Sequence, residues 1–82
     1  MVNIRKFKAY KRIRDLREDN DMSQAQMADR LHVAQRTYSR YENGDRDIPI
    51  SILIEISDVF GTSIDYLLEK SDNPMINKRP YP

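Results

Sequence analysis

The sequence predicts an all-α fold, a compact bundle of five short helices, and three observations carry that prediction. Apolar residues recur at helical spacing over most of the chain. No stretch alternates convincingly as a half-buried strand would. The breaks between helical stretches are short and hold residues that start or stop helices. Eighty-two residues with 39% apolar content and no Trp suit one small domain with a modest core.

The first helical pattern starts near Phe7 and runs to about Asn20, with Phe7, Tyr10, Ile13 and Leu16 roughly aligned on one side. The polar run Glu18-Asp-Asn-Asp21 ends it. Ser23 then caps a second helix, Gln26 sits three residues on as its capping-box partner, and Met22 can staple onto Met27. Ala28 and Leu31 continue the buried face. The phase breaks at His32-Val33, and a third helix follows from about Gln35 to Asn43, with Val33, Tyr38 and Tyr41 as its apolar side and Gly44 to close it. Pro49 suits the first turn of a fourth helix at about 50–60, which is apolar nearly all round and so is either central or shared with a partner chain. Gly61 stops it. Thr62 or Ser63 caps a short fifth helix anchored by Ile64, Leu67 and Leu68. The chain thus divides into a basic N-terminal segment (1–8), a helical domain (9–70) and a C-terminal stretch (71–82) whose three prolines and few apolar residues predict a flexible tail.

Composition closes off several function classes. Without cysteine there is no disulfide scaffold, thiolate zinc site or cysteine nucleophile, and a reducing compartment is the natural setting. No apolar run approaches the ~18 residues of a membrane span, and the basic start leads into no apolar region as a signal peptide would, so a cytoplasmic protein is expected. The formal net charge is only +1, but its distribution is directional. Residues 1–17 hold seven basic groups (Arg5, Lys6, Lys8, Lys11, Arg12, Arg14, Arg17) against Asp15 alone, whereas residues 18–70 hold five basic and eleven acidic groups. Lys6, Lys8, Lys11 and Arg12 cannot all pack in a core, and they are expected to add phosphate affinity without specificity. The single histidine, His32, has no neighbouring ligands, so no metal or cofactor is called for. An enzyme is not expected either: no carboxylate pair sits in an apolar setting, no nucleophile has a base at a recognisable spacing, and the chain has only two glycines.

The third helix carries the chemistry. Gln35, Arg36, Ser39, Arg40 and Asn43 fall at i, i+1, i+4, i+5 and i+8, one stripe at the helical period, while Tyr38 and Tyr41 face the other way. A solvated face normally mixes Lys with Glu, but this stripe has no acidic member and every residue in it donates hydrogen bonds. Arg can bridge guanine edges, Gln can bridge adenine, and Ser or Asn can reach phosphates.

The stretch MSQAQMADRLHVAQRTYSRYENGDRDIP, with the trailing GTSIDYLL, resembles the Cro/repressor-type (XRE-like) helix-turn-helix family across roughly residues 10–68. The resemblance rests on Ser23-Gln24 opening a helix, Ala28 at a tight crossing, Val33 after the turn, Thr37, Ser39-Arg40, Glu42-Asn43-Gly44, and Gly61 through Leu68. It implies a lambda-repressor-like DNA-binding domain whose 24–31 helix lies across the DNA backbone while the 35–42 helix enters the major groove. By the same resemblance Gln35, Arg36 and Arg40 read bases, Ser39 contacts a base or phosphate, and Gln24 and Asn43 hold phosphates. Arg17 and Glu42 match a largely buried ion bridge between the first and third helices. Two positions depart from the pattern. His32 stands where glycine usually makes the turn, and Ala34 stands where Ser or Thr usually caps the third helix.

These readings predict a regulator, most economically a repressor that occupies its operator. Its partner would be double-stranded DNA at a pseudo-palindromic site, bound by a homodimer joined through 50–68, with no small-molecule ligand. The alternative is an antitoxin-type or protein–protein interaction module on the same fold, for which a neutral or acidic third-helix stripe would be expected.

Overall fold

A computed structural model describes residues 7–75 and contains, in chain order, α1 (Lys11–Asp19), α2 (Gln24–Leu31), α3 (Gln35–Asn43), α4 (Ile50–Phe60) and α5 (Ile64–Leu67). Every helix sends at least one side chain into a common core. Ile13 comes from α1, Met27 and Leu31 from α2, Tyr38 from α3, Ile56 from α4 and Leu67 from α5. Burying each such side chain contributes about 1.5–3 kcal/mol.

The first helix starts later than its apolar periodicity suggests. Tyr10 is its N-cap, and Phe7 stays outside it and exposed. The reason lies across the bundle at Gly44, which ends α3 with φ +77°. A Cβ there would stand 2.8 Å from the Phe7 carbonyl oxygen and 3.0 Å from the Ala9 nitrogen. The backbone of residues 7–9 therefore runs against the end of α3 instead of coiling. Arg5 and Lys6 of the basic segment lie outside the described residues, as do residues 76–82.

The turn between α2 and α3 is built from local rules and one exception. Ser23 Oγ accepts from the Gln26 N–H at 3.0 Å while Gln26 Oε1 accepts from the Ser23 N–H at 2.8 Å, a complete capping box. At the other end of α2 His32 takes the left-handed conformation at φ +57°, and the Val33 N–H reaches back to the Ala28 carbonyl at 3.0 Å. Ala34 precedes α3 with an extended backbone and no side-chain cap. Ala28 is buried, as a close helix crossing requires.

Beyond α3, the Pro49 carbonyl receives the Ile52 and Leu53 N–H groups and α4 begins. Its apolar ring is unevenly used. Ile56 is fully buried and Ile52, Leu53, Val59 and Phe60 are half-buried, but Ile50 is 74% and Ile54 47% exposed. Gly61 turns the chain at φ +64°, and Ser63 rather than Thr62 caps α5, accepting from the Tyr66 N–H at 3.0 Å. The described part of the C-terminal stretch is tied down. The Ser63 N–H donates to the Pro74 carbonyl at 2.9 Å, and Arg12 Nη1 donates to the Tyr66 and Ser71 carbonyls at 3.0 and 2.8 Å.

One buried charge joins the first three helices. The Glu42 side chain is 1% exposed, and its carboxylate accepts from Arg17 Nε at 2.6 Å and Arg17 Nη2 at 3.2 Å. It also accepts from the Tyr38 hydroxyl and from Gln24 Nε2, the latter at 3.1 Å. Burial alone would raise the Glu42 pKa, but the hydrogen bonds from Arg17, Tyr38 and Gln24 outweigh it and hold the group below the ordinary carboxylate range. The bond to Glu42 raises Arg17 in turn, and burial and Glu42 together push the Tyr38 phenol up.

Two outcomes follow for stability. Replacing His32 with Gly removes the left-handed cost of a Cβ, and a gain of about 0.5–1 kcal/mol is expected in urea unfolding, net of the freedom Gly adds to the unfolded chain. Arg17→Met or Glu42→Gln strands the partner group and should cost on the order of 3–5 kcal/mol. Because the folded pKa of Glu42 lies below its unfolded value near 4.5, this contribution is present above that pH and lost as pH falls through the folded value. Unfolding measured against pH should therefore show wild type and Glu42→Gln converging only in acid.

Candidate nucleic-acid interface

Tyr38 and Glu42 stand four residues apart on α3 and both point inward, which turns the opposite side of the helix to solvent. Gln35, Arg36, Arg40 and Asn43 are exposed there and Ser39 is half-buried. Among the described residues none of these five side chains takes part in an intramolecular hydrogen bond or salt bridge. The geometry therefore presents guanidinium, amide and hydroxyl donors side by side, uncommitted, along a nine-residue helix. The acidic residue of the helix, Glu42, is withdrawn and neutralised by Arg17. At the start of α3, the missing side-chain cap leaves first-turn N–H groups free beside Gln35 and Arg36.

Gln24 opens α2. The family resemblance implies a phosphate holder at this position, and in the structure its Nε2 donates to Glu42. The Ser23 hydroxyl serves the Gln26 N–H, so the first N–H groups of α2, at Gln24 and Ala25, have no side-chain cap. Asn43, at the other end of the stripe, edges a hollow of about 220 Å³ whose lining also includes Lys11, Arg14 and Glu42.

That hollow divides the basic N-terminal half by helix face. Lys11 and Arg14 are exposed and share one face of α1 at i, i+3. Arg12 points elsewhere: its guanidinium lies 4.2 Å from the Tyr66 ring centroid and is bonded to the carbonyls of Tyr66 and Ser71. The expectation that Arg12 serves phosphates is corrected accordingly, because its guanidinium is held by α5 and the start of the C-terminal stretch. Arg14, which the sequence expectation leaves out, shares with Lys11 a face that Arg12 does not, and it is the contact with α5 that sets Arg12 apart.

Among the described residues no three His, Cys, Asp or Glu side chains gather as a metal site, and no helix is long and apolar enough to cross a membrane.

Residues 13–67 match the family model described as Helix-turn-helix. A relative from Bacillus subtilis, the uncharacterized HTH-type transcriptional regulator YqaE, is 33% identical over 64 residues, covering 78% of this chain and 55% of its own. The HTH-type transcriptional regulator ImmR of the same organism is 28% identical over 74 residues, covering 83% of this chain and 58% of its own. The chain thus spans a little over half the length of these relatives. Among solved structures, a transcriptional regulator from Listeria innocua superposes with a TM-score of 0.70 over 92% of this chain and 64% of that one, at 23% identity, a likeness of fold. Hydroxypropylphosphonic acid epoxidase from S. wedmorenis gives a TM-score of 0.66 at 28% identity over 78% of this chain but only 35% of the epoxidase. By the match over residues 13–67 and the identity with YqaE, this chain belongs to the Cro/repressor-type (XRE-like) helix-turn-helix family.

Proposed function

We propose that this chain is a sequence-specific DNA-binding transcriptional regulator that reads the major groove with α3 and represses by occupying its operator. The observation that carries this reading is the exposed stripe of Gln35, Arg36, Ser39 and Arg40, a set of donors with no partner of its own among the described residues. Arg36 and Arg40 supply the guanidinium forks that match guanine O6 and N7, and Gln35 matches adenine N6 and N7. Asn43, at the end of the stripe, and Gln24, at the start of α2, grip the backbone, with Lys11 and Arg14 adding charge beside Asn43. The protein works in the cytoplasm, without a cofactor and without catalysis. The likeness to the epoxidase covers about a third of that enzyme and supports a shared fold rather than shared chemistry.

One helix-turn-helix unit reads only a few base pairs, so useful specificity calls for two. A two-fold homodimer joined through 50–68 would set two α3 helices about one turn of DNA apart, ~34 Å, on a pseudo-palindromic site. Ile50 and Ile54, four residues apart and exposed on α4, support that assignment.

Binding-site selection from random DNA tests the first part. Arg36→Ala, Arg40→Ala and Gln35→Ala should each lose ~1–3 kcal/mol and relax preference at one base pair per half-site, whereas Asn43→Ala should weaken all sequences evenly. Uniform loss in the first three, with every preferred base unchanged, would reassign the stripe to phosphate holding. For the dimer, Ile50→Glu with Ile54→Glu should abolish self-association in sedimentation. A wild-type protein that stays monomeric both free and on its site rules the dimer out.

A further inference from the structure

Glu42 has more donors than an ion pair needs. A carboxylate offers about four lone-pair positions, and here all are met: two by Arg17, one by Tyr38 and one by Gln24. Arg17 and Tyr38 are buried, so their bonds serve the interior. Gln24 differs. It is only half-buried, begins α2, and stands beside the uncapped Gln24 and Ala25 N–H groups. A bond from its side chain to a buried anion also dictates which way the amide faces. The nitrogen must point to Glu42, because the reversed amide would set its carbonyl oxygen 3 Å or so from a negative oxygen. The flip that an exposed glutamine makes freely is closed to this one.

We infer that Glu42 is a positioning residue for DNA binding. Through its bond to Gln24 Nε2 it orders the Gln24 amide before DNA arrives, leaving the second Nε2 hydrogen for a backbone phosphate at the start of α2. This rests on the DNA-binding reading above and extends it, since Glu42 touches no nucleic acid itself. The effect on affinity comes from order already present in the free protein. Immobilising one flexible side chain on binding weakens association by about three- to tenfold, and pre-ordering removes that loss.

The test is a double-mutant cycle on affinity for the selected duplex, using wild type, Gln24→Ala, Glu42→Asp and the double variant, each confirmed folded by circular dichroism and urea unfolding. Glu42→Asp keeps the charge and shortens the reach to Gln24. Each single variant should bind about three- to tenfold more weakly, and the double variant no more weakly than Gln24→Ala alone. Additive losses would mean that Glu42 acts on DNA binding only through fold stability, and would overturn the proposal. Should Glu42→Asp not fold, the wild-type protein decides by NMR. The Gln24 side-chain NH2 should show slowed exchange and restricted motion against exposed Gln35 as internal reference, and equal behaviour of the two overturns the proposal. Wild-type protein that binds no duplex at any sequence overturns the DNA reading itself, a result distinct from tight binding with an additive cycle.

Discussion

A buried carboxylate cannot be left without partners, and Glu42 is the constraint that the rest of this small domain depends on. Its four donors come from α1, α2 and α3, so the one charge fixes three helices against one another. It also sets how α3 is rotated about its own axis. Glu42 and Tyr38 lie one turn apart and must both face inward, which leaves positions 35, 36, 39, 40 and 43 facing out. A slip by one residue would bury Asn43 in place of Glu42 and Ser39 in place of Tyr38, and strand Arg17 in the interior. The cost of such an uncompensated charge is several kcal/mol, comparable to much of a small domain's total stability. Hydrophobic burial makes the bundle collapse, but it is the ion pair that selects one rotation of the outward helix.

Local preference is worst served at the turn between α2 and α3. His32 occupies a left-handed conformation that glycine would accept more readily, and Ala34 leaves α3 without a side-chain cap. The two features together cost on the order of 1–2 kcal/mol. Tertiary burial carries them, since Met27, Leu31 and Tyr38 on either side of the turn are almost wholly out of water. The capping box at Ser23 and Gln26 shows that the chain can cap a helix fully where nothing else is asked of it. At α3 the unsatisfied N–H groups sit at the end that carries Gln35 and Arg36, where an acceptor from outside can meet them. In the function proposed above, this local frustration lies beside the face that meets DNA, a common arrangement in folded domains.

What was legible in the sequence is what short-range rules govern. Helix order, the capping box and the closing roles of Gly44 and Gly61 each depend on residues a few positions apart, whereas the left-handed turn at His32 was marked only by the family resemblance. The start of α1 was not legible, because Phe7 keeps the helical period yet is diverted by the backbone of Gly44, 37 positions away in the chain. Arg17 and Glu42 are 25 residues apart, and only the family resemblance paired them. Gln24 was assigned to phosphate from the same resemblance, with no hint that Glu42 also holds it. Arg12 looked like its neighbours Lys11 and Arg14 in a count of charges. Distinguishing them needs the helical phase together with the location of α5, which no local rule supplies.

The fourth helix shows how a core this small sets its own limit. Only one side of α4 can face Ile13, Met27 and Leu67, so an all-round apolar helix must leave part of its surface uncovered. Ile56 takes the interior, Ile52, Leu53, Val59 and Phe60 its margins, and Ile50 and Ile54 what remains. Two exposed isoleucines one turn apart are poorly chosen for water, where Lys or Glu would serve helix formation as well or better. Their presence is therefore better accounted for by contact than by folding. They belong to α4, whereas the uncommitted donors belong to α3, so in the function proposed above self-association and groove reading draw on different helices. A mutation can then alter one function without touching a residue of the other.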